Sequence, residues 1–327
     1  MRWTALCFLA ACSHELAVDA PGSRAGEVVG DCVVPLAGPL AGLGAPMSLE
    51  YDADGVSLWM WEEGRAVVHA ADAACRGEMT VLAGPIVPLL PDEEAENETR
   101  TDGRRIAVTP IGGFVAHGRG TLYYQKLVRG PGVFDSELVG TGACTVDAIT
   151  AMCARTPDLV WTTERAWGGA GLVDADGYAY VVSCVHVAAF TDLCGTARVR
   201  PADAGDPAAY RTLDFDGTYG TDPLNAVVVL DGTGIASPSY VPSLGAYVAV
   251  FPDIFAPSLR VGRGDGPGGP FGSVVTLFPA IAPDTFFIGG GREHHALRRD
   301  DVVAITYATR PSGLHLVTFR FAPEQWP

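Results

Sequence analysis

A tight turn followed by a short β-prone run occurs five times along the chain, and this repeat constrains the fold more than any other feature of the sequence. The runs are Val56–Trp61, Thr121–Tyr124, Tyr178–Val182, Ala246–Val250 and Val302–Tyr307. Each is rich in β-branched and aromatic residues, which pack well on a pleated, half-buried surface. The turns before them are Asp54-Gly55, Arg119-Gly120, Asp176-Gly177, Leu244-Gly245 and Arg299-Asp300-Asp301. Residues of these kinds supply the positive φ or the side-chain hydrogen bond that a hairpin needs. The turns recur about every 55–70 residues, a period that marks propeller blades.

A further strand-like segment follows in three of the repeats, at Gly142–Asp147, Gly195–Arg200 and Leu259–Arg263, as the third strand of a blade would. No amphipathic helical pattern extends beyond a turn or two, and the acidic run from Asp92 to Glu98 reads as a solvated loop. The predicted fold is therefore all-β: a five-bladed β-propeller of four-stranded antiparallel blades over residues 32–327. Two β-sandwiches would not space five hairpins so evenly. Ring closure is expected from Cys32–Leu36 joining the C-terminal strands.

Lys and Arg total 22 against 38 Asp and Glu, a net charge of −16. Such a chain repels phosphate backbones, so nucleic acid is not an expected partner. The start, Met1-Arg2-Trp3, leads through a short apolar run to Leu9-Ala10-Ala11-Cys12. That exit resembles the lipobox of bacterial lipoproteins, so residues 1–11 are expected as a signal peptide and Cys12 as the lipidated residue. Residues 12–31 read as a flexible tether. No other stretch has the ~18 unbroken apolar residues of a membrane helix. A monomer held to the outer membrane by its lipid alone is the expectation, with Ser13 favouring that membrane.

Of eight cysteines, removing Cys7 and Cys12 leaves six. An even number in an exported chain without a C-x-x-C pair points to disulfides rather than metal ligands. Six cysteines allow 15 connectivities. Proximity in sequence suggests Cys184–Cys194 and Cys144–Cys153, leaving Cys32–Cys75. Asp214-Phe215-Asp216-Gly217 with Asp222 has the look of a calcium loop but lacks EF-hand order, so it reads as an Asp-Gly turn. No serine-hydrolase elbow, zincin helix or P-loop occurs, and no cofactor or metal is expected.

The third repeat runs from Trp167-Gly168-Gly169-Ala170 through Asp176-Gly177 to Tyr178-Ala179-Tyr180, then Ala197-Arg198-Val199 and Asp206-Pro207-Ala208-Ala209-Tyr210. The fourth has Ser237–Pro242, Leu244–Tyr247 and the turn Gly266–Gly272, and the fifth has His294-His295-Ala296-Leu297. Over residues 160–320 these motifs resemble a family of exported bacterial five-bladed propellers known only as a domain of unknown function. That family is similar to the glycoside hydrolase propellers of families 43 and 117. The resemblance implies aspartates and a glutamate on the innermost strands, and a histidine acid in the manner of family 117.

Innermost strands are expected near Pro46–Tyr51, Thr109–Val115, Trp167–Val173, Gly234–Val241 and Gly291–Ala296, where blades converge on the axis. Glycoside hydrolysis needs two carboxylates. The chain offers Glu50, Glu293 and His295, while glycines and serines fill most of the second to fourth inner strands. Glu293 and His295 are the catalytic candidates, since strand alternation puts them on one face and Arg292 and His294 on the other. Arg292 and His294 are ligand-binding candidates, as are Glu164, Arg165 and Trp167, which would form a sugar-stacking rim. The scarcity of channel aspartates favours a propeller that binds a glycan or an envelope protein without catalysis. A glycan-cleaving hydrolase is the alternative.

Overall fold

A computed structural model describes residues 25–34, 36, 40, 45–69, 79–132, 135–161, 167–188, 191–222, 225–232, 236–253, 256–279, 288–309 and 313–326. Strand β1 (Gly26–Val34) stands apart from the first blade. Blade 1 is β2 (Met47–Tyr51), β3 (Val56–Met60), β4 (Arg65–His69) and β5 (Thr80–Leu82). Blade 2 has three described strands, β6 (Arg105–Ala116), β7 (Arg119–Arg129) and β8 (Ser136–Val146). Blade 3 runs from β9 (Gly171–Val173) through β10 (Ala179–Ala188), β11 (Thr191–Val199) and β12 (Arg211–Leu213) to β13 (Tyr219–Gly220). There β14 (Leu230–Gly232) also pairs with β11. Blade 4 is β15 (Ser237–Val241), β16 (Ala246–Asp253), β17 (Ser258–Gly264) and β18 (Gly272–Pro279). Blade 5 is β19 (Ile288–Glu293), β20 (Val302–Thr309) and β21 (Gly313–Phe321), and β1 completes it. The fold is a five-bladed β-propeller, with strand numbers departing from four in blades 2 and 3.

All five β-prone runs are second strands, and each inner strand lies within or overlaps its expected span. The ring closes as the sequence implied: Cys32 is opposite Leu316 and Val34 opposite Leu314 in the antiparallel β1–β21 pair. Because β1 begins at Gly26, part of the segment expected as tether is sheet. The core explains why strands are apolar on both faces. Among the described residues it divides into five clusters, one for each pair of neighbouring blades. Trp59 and Ala66 of blade 1 pack with Ala304 and Leu316 of blade 5, so the last blade is sealed to the first.

Among the described residues two complete disulfides fasten this frame. Cys184 and Cys194 face each other directly in the β10–β11 register, and Cys144 joins Cys153. Cys32 is disulfide-bonded, while Cys75, its expected partner, lies outside the described residues.

The acidic run is not a loop. It forms helix α1 (Pro91–Thr99), with Pro91 in the first turn and Asp92, Glu93 and Glu94 beside the positive helix end. Glu93 is buried and accepts from Leu90 N at 3.0 Å and from Arg155 at 2.7 and 2.9 Å, with Lys126 Nζ at 2.7 Å. The opposing cations come from elsewhere in the chain, so the run's own sequence could not reveal them. Asp214 and Thr218 form a hairpin turn in which Asp216 accepts from the Thr218 amide and hydroxyl, so the calcium-like sequence makes an ordinary Asp-Gly turn.

Candidate active site

The inner strands approach so closely at the axis that some positions exclude a side chain. A Cβ on Gly112, whose φ is +128°, would sit 2.6 Å from the Gly169 carbonyl oxygen of the next blade. One on Gly290, at φ +65°, would sit 2.5 Å from Ala45 Cβ. Glycines on these strands are thus a packing requirement. Around them all five inner strands line a cavity of about 850 Å³, on the side where the hairpins from first to second strands turn.

Its polar wall comes from blades 1 and 5. Glu50 on β2 is buried, and its Oε1 accepts from Ser57 Oγ at 2.8 Å and from His294 Nδ1 at 2.9 Å. Its Oε2 accepts no hydrogen bond among the described residues. Burial alone would raise this carboxyl, but the facing His294 outweighs it and holds Glu50 down at about 2. His294 is itself fixed, with Nε2 2.7 Å from Thr306 Oγ1 and its ring 5.1 Å from Trp59. At the mouth, Asp52 Oδ2 lies 3.4 Å from His295 Nε2. Partial burial raises the Asp52 carboxyl above its ordinary value; His295 opposes that rise and Glu50 adds to it.

Glu293 is sealed against Arg298, which donates to both carboxylate oxygens at 2.7 and 2.9 Å and also to the Tyr240 carbonyl. Arg292 lines the cavity while buried, with Nη2 3.1 Å from Met47 Sδ. Across the cavity, Tyr247 donates to Asp174 at 2.5 Å. Burial, reinforced by Asp174, pushes the Tyr247 phenol up.

These positions revise the sequence expectations. Strand alternation stops at Glu293, because His295 opens a short 3-10 turn. A register shift between Gly289 and Arg292 turns Arg292 towards the cavity beside Glu293 and His295, while His294 goes beneath blade 1. Trp167 is 3% exposed within the core between blades 2 and 3, so it cannot be part of a stacking rim. Glu164 and Arg165 lie outside the described residues. Asp52 and Asp174 were missed because both sit in turns just past an inner strand rather than on it. Their signal was available: each belongs to the hairpin that opens a repeat.

Neither a family model nor a curated protein matches the sequence. Solved structures do match. A GH43_1 enzyme from Xanthomonas citri complexed with xylotriose aligns at 13% identity over 90% of this chain and 91% of its own, with a TM-score of 0.54. The propeller shares its fold. The RS223 β-xylosidase aligns at 13% identity over 87% of this chain and 94% of its own, with a TM-score of 0.53. CoXyl43, a GH43 β-xylosidase/α-arabinofuranosidase from a compost microbial metagenome, aligns at 12% identity over 88% and 94%, with a TM-score of 0.52. These neighbours are glycoside hydrolases, and this overturns the expectation of a propeller that binds a glycan or envelope protein without catalysis. Its premise also fails in part, since Asp174 brings a blade 3 carboxylate to the cavity.

Proposed function

We propose that the protein is a glycoside hydrolase-like enzyme acting on a glycan in the axial cavity. The observation that carries this reading is a pair of cavity carboxyls whose environments move them apart, Glu50 downwards and Asp52 upwards. Such a split assigns acid and base roles. Glu50, ionised and with Oε2 unengaged, serves as the base or nucleophile. Asp52, with His295 beside it to orient the carboxyl, donates the proton to the leaving oxygen. Glu293 positions Arg298. In this assignment Asp52 takes the acid role that the sequence alone gave to a histidine, His295.

Xylose- and arabinose-containing glycosides come first in the test, because the neighbouring enzymes are named for them. Turnover is expected on a panel of aryl glycosides and polysaccharides, with Glu50→Gln reducing kcat/KM by about 10²–10⁴-fold in a protein of unchanged circular dichroism. Absence of turnover across pentosides, hexosides and uronides, or an unaffected Glu50→Gln variant, rejects the reading. We also propose export and anchoring through Cys12 in the cell envelope. The two disulfides support an oxidising compartment.

A further inference from the structure

Arg292 has no role in the scheme above. The residue is 5% exposed, and burial draws its guanidinium down to about 10, with Glu50 near enough to oppose that fall. A cation so placed ordinarily has a carboxylate partner. Neither nearby carboxylate pairs with it directly: Glu50 commits Oε1 to His294 and Ser57 and acts on Arg292 through its charge alone, and both oxygens of Glu293 hold Arg298. Among the described residues the polar contact of Arg292 is the weakly accepting sulfur of Met47, at 3.1 Å. Yet Arg292 lines the cavity, where its donors can meet a bound ligand. On the neighbouring blade Ser239 also lines the cavity, with a buried hydroxyl that has no hydrogen-bond partner among the described residues.

We infer that Arg292 is a specificity-determining residue that receives the carboxylate of an acidic sugar, so that the glycan bound in the cavity carries a uronic acid. The guanidinium fork matches a planar two-oxygen acceptor bidentately, and Ser239, lining the same cavity, offers a further donor. A neutral sugar would leave the fork facing single hydroxyls. This inference rests on the cavity being the glycan site, as proposed above, but it requires binding rather than turnover.

The test measures binding of glucuronate and galacturonate against glucose and galactose by ligand-observed NMR on the whole protein. Each uronate should bind at least about tenfold tighter than its neutral counterpart, since a site built for a polar group rejects the analogue lacking it. In Arg292→Met that preference should vanish while neutral-sugar binding is retained. Equal binding of acidic and neutral sugars by the wild type, or equal loss of both in the variant, overturns the inference. So does acetate competing as well as a uronate, which would mark a bare anion site. The wild-type comparison decides the matter even if the variant fails to fold. A uronate preference without turnover of any glycoside would reject the hydrolase reading and leave this inference standing. Turnover of neutral glycosides without that preference would do the reverse.

Discussion

At the scale of single residues, the molecule repeatedly buries a carboxylate and then partners it with a nitrogen base far away in sequence. Glu50 with His294 and Glu93 with Arg155 and Lys126 are the two clearest cases, and both carboxyls lie at about 2. For Glu93, burial alone acts upwards, but the Arg155 and Leu90 hydrogen bonds prevail. Its folded value is below the ordinary 4.5, so its contribution is complete above that value and is lost as pH falls through about 2. Glu93→Gln should cost about 3 kcal/mol near neutrality. Urea titrations at pH 7 and pH 2 should find the difference from wild type largely gone at the lower pH. In the proposed reaction Glu50 must be ionised and Asp52 protonated. The rate should therefore hold on the acid side until about 2 and decline as pH rises through the raised Asp52 value. Asp52→Asn should flatten that alkaline limb at a much lower rate, and a limb that persists unchanged would remove Asp52 from the acid role.

Among elements, two devices hold strands that the blade pattern alone would leave loose. One is the Cys184–Cys194 bond across β10 and β11, closing a separation of 10 residues. Replacing both cysteines by alanine should lower stability by about 2–3 kcal/mol, and non-reducing peptide mapping should recover the linked pair from the native protein. Two free thiols there would refute the bond. The other device is α1. Asn97 donates to the Ile106 carbonyl at 3.0 Å and accepts from the Ile106 amide at 2.6 Å, so the helix acts as an edge partner for the start of β6. Asn97→Ala leaves both backbone groups to water. A loss of about 1–2 kcal/mol is expected, with faster hydrogen exchange confined to the Ile106 end of β6.

For the whole molecule, closure depends on β1 supplying the outer strand of blade 5. Truncation through Val34 would strip the β21 edge and uncover Leu314 and Leu316, which lie in the cluster joining blades 5 and 1. The melting temperature should fall by at least about 5 °C. Cys12→Ser tests the proposed anchor: the variant should move from the membrane to the soluble fraction, and unchanged partitioning would sink that proposal.

The blade repeat was legible because it is local: hairpin turns and β-branched runs are dictated by residues within a few positions of one another. Two disulfides were legible for the same reason, through cysteine spacing, while ring closure followed from the need of a propeller to join its ends. On the cavity wall, Glu50, Arg292, Glu293 and His295 could be picked out as polar residues on strands that ought to face an axis. Their partners could not. Glu50 is 244 positions from His294, and nothing in either neighbourhood states that blade 5 will place the imidazole beneath blade 1. Alternation also misassigned Arg292, since a register shift breaks the two-residue period at the site itself. Local patterning is enough to place the second strand of every blade in order. The tertiary structure decided which charges meet, because a buried carboxylate is governed by whatever the ring brings within about 3 Å of it, wherever in the chain that group began.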